Sequence, residues 1–517
     1  MIWKKDIQHQ ALKIEIKQSF MIELKKHLDN QFIRFTVIAV LLNSFFAAAK
    51  LQAQNTARLC PANHHYIMYQ NKPVVLITSA EHYGSLLNLG FDYTAYLNAL
   101  QKEGMNNTRV FSGTYVEREN DINWLQYNNT LAPLPNKLIT PWKRSNVPGY
   151  PNGGNKFDLN QWNETYFKRA KDLLTQAAKR GILIEFTLFG NQYGDGIYSY
   201  SPLYPDNNIQ GVGVKRKDGF LDFQSLKDSA LVARQDAFVI KVVKELNNFD
   251  NLFYEVSNEP YNAVKDSSQV DEWHIHLVNL IRKTEKSLPK KHLIASNQAI
   301  VDYPEVDIPT YHYVHIPNSP GFDSLLRLNK VISMNETMGS LKDEDANDVR
   351  VEAWDFILHG GGAYNNLSWE YTLKKPQGTP AADTVRQYLM HLQKFISSFD
   401  YIKMKYSSGL LTNVPHKAIT RLLAEPGRQY ALYIHHSQPD IAYPSPETAI
   451  WKYKADTSAS RDTVTLYLDA GTYTTRWYDP ATGVWTSSKL LYLPQKSEYT
   501  FYTGLFTRDI ALSIIKK

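Results

Sequence analysis

The stretch LFYEVSNEPY, Leu252 to Tyr261, begins as an apolar β-type run and ends in Asn258, Glu259 and Pro260. The run predicts a buried strand, and the proline turns the chain away from the sheet into a loop. Residues 72–404 contain seven more such runs, separated by segments with helical apolar spacing. These runs are VVLIT (Val74–Thr78), NTRVF (Asn107–Phe111), ILIEFTLF (Ile182–Phe189), HLIAS (His292–Ser296), TYHYV (Thr310–Val314), KVISM (Lys330–Met334) and AYNNLSW (Ala363–Trp369). Eight strands that alternate with helices predict a (β/α)8 TIM barrel with insertions.

The helical segments between the runs repeat apolar residues every three or four positions, as at Phe238, Val242 and Leu246. Two connections are far longer than the others: residues 112–160 follow the second strand, and residues 190–223 follow the third. Both leave the carboxyl ends of strands, which is the end of such a barrel that carries active sites. A doubly wound open sheet is the alternative architecture, because it is also built from alternating strands and helices.

The pattern changes after Ser407, where short alternating runs follow one another without helices. Runs of this kind are typical of a β-sandwich. The stretch DPATG, Asp479–Gly483, has proline and glycine at turn positions and predicts a hairpin. We therefore predict a barrel domain over residues 54–406 and a small all-β sandwich over residues 407–517. Because no long linker separates them, we expect a packed interface, in which the sandwich stabilises the barrel and supplies no active-site residue.

Residues 1–53 have the features of an export signal. Lys25, Lys26 and Arg34 precede the apolar run FTVIAVLLNSFFAAA, Phe35–Ala49, which has the length of a signal-peptide core. The run is too short to span a bilayer comfortably, so a retained signal-anchor helix is the less favoured alternative. A secreted or periplasmic protein is therefore expected, with no membrane span after removal of the signal.

The composition argues against several classes of protein. The net charge is +6, of which residues 1–53 contribute +4, so the remainder holds only +2 and offers no concentrated positive charge for a nucleic-acid partner. Cys60 is the single cysteine, which excludes an intrachain disulfide and a multi-thiolate metal site and predicts a free or buried thiol. The sequence contains no G-x-S-x-G, P-loop or H-E-x-x-H motif, so no cofactor and no metal are implied.

Two glutamates stand at the ends of predicted strands. Glu259 follows the fourth strand, and Glu336 in MNET, Met334–Thr337, follows the seventh. Either one alone would commonly pair with an arginine or lysine at the rim. Strands four and seven face each other across a barrel, so both carboxyls are expected in one pocket, as glycoside hydrolysis requires. A retaining mechanism would place them about 5–5.5 Å apart, with Glu336 ionised and Glu259 protonated.

VSNEPY resembles the strand-four acid/base motif of clan A glycoside hydrolases, the cellulase-like group that includes family 5, and MNET resembles their strand-seven nucleophile motif. The resemblance extends over residues 72–404. It implies that Glu259 is the catalytic acid/base, that Glu336 is the nucleophile and that Asn258 holds the sugar 2-hydroxyl.

Three further residues match this family. Arg109 in NTRVF matches the arginine beneath the nucleophile, a role that is compatible with a barrel-interior ion pair to Glu255. His312 and Tyr313 in TYHYV match the pair that orients the nucleophile, with packed aromatic residues as the alternative.

The chain departs from the family at the end of strand three, where LFGNQYG (Leu188–Gly194) lacks the common histidine and leaves that side of the subsite to Asn191 or Gln192. On strand eight, Trp369 is either a sugar-stacking platform or a core residue. The C-terminal stretches TYTTRWYDPATG and RDIALSII resemble the β-sandwich appended to uncharacterised cellulase-like and apiosidase-like secreted proteins.

Three more residues are candidates for substrate binding. Glu81 and His82 in TSAEHYG close strand one, from which both can reach the pocket rim. The chain has 33 Tyr and 10 Trp, an aromatic surplus that fits a carbohydrate partner, and Tyr115 is the loop aromatic that we expect in the site.

The residues and the resemblance together predict a secreted retaining glycoside hydrolase that acts on a poly- or oligosaccharide. The alternative from another class is a non-catalytic carbohydrate-binding or adhesion protein that keeps the barrel as a scaffold. Two close carboxylates argue against that alternative, because they repel each other and a protein that only binds sugar gains little from keeping both. A metal-dependent hydrolase is disfavoured, since the sequence shows no clustered ligands. The sugar, the linkage and the oligomeric state are left open.

Overall fold

The computed structural model describes residues 55–81, 83–118, 131–261, 267–312, 322–337, 345–443, 450–454 and 456–517. The predicted export segment 1–53 and the candidate residues His82 and Tyr313 lie outside these ranges. Thr56–Lys517 form one compact unit. Within the described ranges, every helix is too short or too polar to cross a bilayer.

Eight parallel strands form the central sheet of this unit. They are β1 (Leu76–Glu81), β2 (Asn107–Phe111), β3 (Leu183–Gly190), β4 (Leu252–Asn258), β5 (Leu293–Asn297), β6 (Ile308–His312), β7 (Ser333–Glu336) and β8 (Ala363–Ser368). From β2 to β8 each strand pairs with the next in sequence, and β8 then pairs in parallel with β1. Pairing of the last strand with the first is the topology of a barrel and not of a doubly wound sheet, so the predicted TIM barrel is confirmed.

Asn106 closes the barrel between β1 and β2, which share no backbone ladder. Its side-chain Oδ1 accepts from the backbone N–H of Ile77 at 2.9 Å, and its Nδ2 donates to the carbonyl of Val75 at 2.8 Å. One amide side chain thus supplies the donor and acceptor that a paired strand would otherwise offer to β1.

Helices follow seven of the eight strands. They are α1 (Tyr93–Lys102), α2 (Glu164–Ala178), α3 (Ser229–Leu246), α4 (Ser267–Glu285), α5 (Phe322–Leu326), α6 (Ala346–Leu358) and α7 (Pro380–Ile396). The connection from β5 to β6, residues 298–307, consists of turns without a helix. A crossover this short has no room for a helix and its two flanking loops.

Additional elements cover both ends of the barrel. Strands Arg58–Leu59, Ile67–Tyr69 and Lys72–Val74 form a small sheet whose apolar residues pack with those at the amino ends of the barrel strands. At the opposite end, the loop after β2 contains the antiparallel pair Trp142–Pro148 and Asn155–Trp162. The loop after β3 contains the short helix Asp195–Tyr198 and 3-10 turns at Pro205–Asn207 and Gly219–Asp222.

The chain after α7 is built from antiparallel strands, joined by 3-10 turns at Tyr401–Lys403 and Ser408–Leu410. The largest sheet pairs Lys405–Tyr406, Ile419–Glu425, Gln429–His435, Asp509–Lys516, Gly471–Asp479, Val484–Trp485 and Lys489–Leu493. The smaller sheets pair Leu411–Asn413 with Thr463–Leu468 and Ser497–Tyr502, Gln438–Tyr443 with Ile450–Lys454, and Ala459–Ser460 with Phe506–Thr507. Tyr478 pairs with Trp485 across the predicted DPATG turn, which confirms that hairpin.

The largest C-terminal sheet packs directly on α6. Trp354 of this helix stacks on Tyr433 with the ring centroids 5.3 Å apart. Arg350 donates to both carboxylate oxygens of Asp509, at 3.0 and 2.8 Å. Both charged groups of this pair are buried. The interface therefore combines aromatic packing with ionic groups that cannot be exposed separately without a large cost.

Removal of residues 407–517 is expected to leave the barrel unable to fold stably. The truncation exposes the face of α6 that packs on the C-terminal strands, including Trp354, and each Å² of apolar surface that becomes exposed costs about 25 cal/mol. Soluble yield and thermal unfolding of residues 54–406 should be compared with those of residues 54–517. A soluble shortened chain with a cooperative transition at the full-length temperature would contradict a stabilising role for the C-terminal strands.

Candidate active site

The two glutamates lie together at the carboxyl end of the barrel. Glu336 is the last residue of β7, and Glu259 follows the last residue of β4. Glu259 has a φ of 43°, a left-handed conformation that is uncommon for a side-chain-bearing residue, and its backbone N–H donates to Asn297 Oδ1 at 3.1 Å. One oxygen from each glutamate and a ring nitrogen of His312 lie within 4.8 Å of one another.

Arg109 anchors Glu336 from below. Its Nη1 donates to Glu336 Oε2 at 3.0 Å, and the guanidinium is completely buried. The same guanidinium donates through Nε and Nη2 to Glu255 Oε2, at 2.9 and 2.6 Å. Arg109 therefore makes both expected contacts, one with the strand-seven glutamate Glu336 and one with Glu255 in the barrel interior.

His312 lies between the two glutamates. Its Nδ1 is 3.2 Å from Glu259 Oε1 and 3.5 Å from Glu336 Oε2. Burial alone would lower the pKa of His312, but the negative charges of Glu336 and Glu259 raise it above its ordinary value. The imidazole therefore favours the protonated form, in which it can donate to either carboxylate.

Glu259 favours the ionised form, in contrast to the protonated state expected from the sequence. Burial raises the pKa of this carboxyl, but the hydrogen bond and charge of His312, followed by Tyr193 and Arg109, together lower it below its usual range. The neighbouring charges therefore favour a proton on His312 over one on Glu259.

Tyr193 is a site residue that the sequence did not single out. Its hydroxyl donates to Glu259 Oε2 at 2.6 Å and accepts from Asn258 Nδ2 at 2.7 Å. Asn258 Oδ1 in turn accepts from Arg109 at 2.6 Å, so the amide links the arginine to the tyrosine. The available signal was the position of Tyr193 three residues beyond the end of β3, on the side of the pocket where the family histidine is absent.

Asn191 and Gln192, one of which was expected to line this side of the subsite, both hydrogen-bond within the turn that presents Tyr193. Asn191 Oδ1 accepts from the backbone N–H of Tyr193 at 2.7 Å. Gln192 Nε2 donates to the carbonyl of Gly190 at 3.0 Å. Tyr115 packs edge-on against the ring of Tyr193, with centroids 5.7 Å apart, so it supports the tyrosine from behind.

Two other candidates lie at the ends of β1 and β8. Glu81 is buried, and one of its oxygens accepts from the backbone N–H of Ser85 at 3.2 Å. Burial raises the pKa of Glu81 to about 7. Trp369 directly follows β8 and is partly exposed.

A second carboxylate pair lies beneath the site. Asn335 Nδ2 donates to Glu185 Oε1 at 2.8 Å and to Glu255 Oε1 at 2.9 Å. Burial, with a further contribution from the charge of Glu255, raises the pKa of Glu185 to about 8. Glu255 contacts Arg109 directly at 2.6 Å, whereas the raised pKa of Glu185 favours its protonated form near neutral pH.

Glu185→Gln is therefore expected to match the stability of the wild type at about pH 4 and to exceed it at about pH 7, because the amide is neutral in both states whereas Glu185 must bind a proton on folding. Glu255→Gln is expected to lower the free energy of unfolding by about 3 kcal/mol, because it removes one of the two carboxylates that contact the buried guanidinium of Arg109. Thermal denaturation of both variants measures the difference. Equal destabilisation by the two substitutions would contradict this assignment of charge.

The same assignment sets a pH dependence. Folded Glu185 keeps a proton that its ordinary pKa of 4.5 would release in the unfolded chain. The contribution of this group to the free energy of unfolding should therefore fall as the pH rises from about 5 to about 8 and then level off. In Glu185→Gln, the free energy of unfolding should lack this decrease between about pH 5 and pH 8. Thermal denaturation of the wild type and the variant across this pH range measures the difference.

Among the described residues, Glu259, His312 and Glu336 are also the group whose ligand atoms lie close enough to hold a metal ion, a cluster that the sequence did not predict. Each of these atoms already has a strong partner: Arg109 contacts Glu336, Tyr193 contacts Glu259, and His312 contacts both. A metal ion bound by Glu336 would share that carboxylate with Arg109, whose guanidinium lies 3.0 Å from it. The two positive charges would then repel each other. The arrangement is better suited to moving a proton.

The chain matches no protein-family model and no curated protein. It is similar to a solved structure described as a glycoside hydrolase, at 11% identity and a TM-score of 0.57, over 90% of this chain and 98% of the other. A glycoside hydrolase family 5 structure from Bacteroides vulgatus ATCC 8482 gives 12% identity and a TM-score of 0.57, over 90% and 95% of the two chains. A second structure from that organism gives 12% identity and a TM-score of 0.60, over 90% and 83%. The chain thus has the fold of these glycoside hydrolase structures, which it matches over 90% of its length.

Proposed function

We propose that the chain is a retaining glycoside hydrolase that cleaves O-glycosidic bonds of an oligo- or polysaccharide. The observation that carries this proposal is the proximity of Glu259 and Glu336, whose oxygens lie within 4.8 Å at the ends of β4 and β7. Retaining enzymes hold their carboxyls about 5–5.5 Å apart, whereas inverting enzymes need about 6.5–9.5 Å to admit a water molecule. The observed distance supports direct attack by a carboxylate.

In the first step, an oxygen of Glu336 attacks the anomeric carbon, and the bond from that carbon to the leaving oxygen breaks. Arg109, 3.0 Å from Glu336, keeps this carboxylate ionised and aimed. Glu259 gives a proton to the leaving oxygen. His312, 3.2 Å away, is the group that supplies this proton when Glu259 is ionised.

In the second step, Glu259 accepts a proton from a water molecule as the water oxygen attacks the anomeric carbon. The ester bond to Glu336 breaks, and its carboxylate is regenerated. Tyr193 donates to Glu259 and so limits its rotation, which keeps one carboxylate in reach of both the leaving oxygen and the water. The cycle uses no cofactor.

The competing proposal is a carbohydrate-binding or adhesion protein that keeps the barrel as a scaffold. The strained backbone of Glu259 and the two carboxylates gathered around His312 argue against it. Both features carry a free-energy cost that sugar binding alone does not require. The pattern of residues 25–49 supports the further proposal that the enzyme acts after export, as a secreted or periplasmic protein.

A substrate screen tests the proposed function. Purified residues 54–517 should be assayed against 4-nitrophenyl α- and β-glycosides of glucose, mannose, galactose and xylose, and against plant and microbial polysaccharides. The matched control is the double variant Glu259→Gln/Glu336→Gln. We expect hydrolysis of at least one substrate by the wild type and none by the control. Equal sugar binding by both proteins in calorimetry, without hydrolysis by either, would favour the binding scaffold.

A further inference from the structure

β7 loses its regular pairing where it carries Glu336. Its ladder to β8 ends at Met334 opposite Tyr364, two residues before Glu336. On the other side, the ladder to β6 shifts register at Asn335, so that His312 pairs with Glu336. On the β8 side, the backbone at the end of β7 therefore relies on side-chain hydrogen bonds to hold its position.

Glu352 of α6 bridges the place where the β7–β8 ladder has stopped. The hydroxyl of Tyr364, on β8, donates to Glu352 Oε2 at 2.8 Å. The side chain of Thr337, the residue directly after Glu336, hydrogen-bonds to the same carboxylate. Glu352 and Thr337 are both buried. One carboxylate thus joins Tyr364, the last residue of β8 that pairs with β7, to the residue that follows Glu336.

The C-terminal strands fix the helix that carries this carboxylate. Every residue of α6 from Asp348 to Leu358 is buried. About one turn beyond Glu352, the carboxylate of Asp355 accepts from Arg421 and from Tyr453, which both belong to C-terminal strands. With the Arg350 pair described above, α6 cannot shift without breaking buried ionic contacts.

We propose that Glu352 is a positioning residue for Glu336, and that the C-terminal strands act on the active site by holding α6, and with it Glu352, against the end of β7. The proposal rests on the proposed role of Glu336 as the nucleophile. It assigns the C-terminal strands a part in catalysis although none of their residues has to enter the pocket. Misplacement of a reacting group by about 1 Å can cost on the order of 100-fold in rate, so the bridge should act mainly on kcat.

Two measurements on four variants test this. Thr337→Val removes the hydroxyl at nearly constant shape, Thr337→Ser keeps it, and Tyr453→Phe removes one contact from the C-terminal side. Thr465→Val is the matched control, because Thr465 bonds to Thr500 in another sheet, at 2.9 Å. Hydrogen–deuterium exchange of the peptide that contains residues 333–337 measures how strongly the backbone at the end of β7 is protected from local opening. Steady-state kinetics use the 4-nitrophenyl glycoside that the wild type cleaves fastest in the screen.

We expect Thr337→Val to raise exchange in that peptide and to lower kcat about tenfold, with KM within about twofold of the wild type. Tyr453→Phe should also raise exchange and lower kcat, but by smaller amounts than Thr337→Val. Thr337→Ser and Thr465→Val should match the wild type in both measurements. If Thr337→Val leaves both exchange and kcat unchanged, the proposal is overturned. Loss of kcat in Thr465→Val to the same extent would also overturn it, because the effect would then be general destabilisation.

The two proposals fail in different ways. If the wild type cleaves no glycoside but Thr337→Val still raises exchange at residues 333–337, the bridge positions β7 and the proposed hydrolase activity is wrong. If the wild type is active and loses activity in Glu336→Gln, but Thr337→Val changes neither exchange nor kcat, the proposed hydrolase activity is supported. The proposed positioning role of Glu352 is then wrong. Glu352→Ala provides an independent check on the bridge, with the same expected direction as Thr337→Val.

Discussion

Glu336→Gln is expected to lower kcat by about 10⁵-fold or more while leaving sugar binding within a few-fold of the wild type. The amide keeps the shape of the side chain and still accepts from Arg109, which lies 3.0 Å from the carboxylate. It cannot form the ester intermediate. The measurement combines kcat on the best substrate of the screen with calorimetric binding of an oligosaccharide.

A control at a distant acidic residue separates this effect from a general loss of charge. Glu164 lies in the first turn of α2 and pairs with Lys241 at 3.3 Å at the protein surface. Glu164→Gln should behave as the wild type, since exposed ion pairs contribute little. Wild-type turnover by Glu336→Gln would show that this glutamate is structural.

Glu259→Ala is expected to have an effect that depends on the leaving group. Cleavage of an alkyl glycoside or a polysaccharide should slow by about 10²–10⁴-fold, because the departing oxygen then lacks its acid. The first step on a 2,4-dinitrophenyl glycoside should change far less, since that leaving group departs without protonation. The ratio of kcat/KM values on the two substrates, in the wild type and in the variant, measures this difference. Equal losses on both substrates would contradict the acid/base role.

The positions of the two glutamates could be predicted because strand ends converge in a barrel. Glu259 and Glu336 each follow an apolar run that is recognisable in the sequence, and parallel strands bring their carboxyl ends to one face. Arg109 and His312 followed from the same register together with the family resemblance. Contacts from loops could not be predicted in this way. Tyr193, which contacts Glu259 at 2.6 Å, lies in a loop and has a left-handed backbone conformation with φ of 54°.

The preferred protonation states of Glu259 and His312 could not be predicted from the sequence, because they depend on how the charged groups are arranged in the folded site. In the sequence, the repulsion expected between two neighbouring glutamates favours a proton on one of them. In the structure, His312 lies between both carboxylates, 3.2 Å from Glu259 and 3.5 Å from Glu336. The charge of each glutamate raises the pKa of the histidine, and the histidine lowers the pKa of Glu259, which favours a proton on His312.

The packing of the C-terminal strands on the barrel could be expected from the missing linker, but its ionic content could not. Asp355 and Arg421 are 66 residues apart, and Arg350 and Asp509 are 159 residues apart. Charged residues on a helix normally predict a solvent-exposed face. Here they mark a face that is buried by a second set of strands, which only the three-dimensional arrangement identifies.

The most direct test of the two-glutamate mechanism is the stereochemistry of the first product. Hydrolysis of the best substrate should be followed by ¹H NMR from its first minutes, before mutarotation mixes the anomers. Two successive displacements at one carbon restore its configuration, so the first sugar released should have the anomeric configuration of the substrate. A first product of the opposite configuration would contradict attack by Glu336 and would require a water molecule between the two carboxylates.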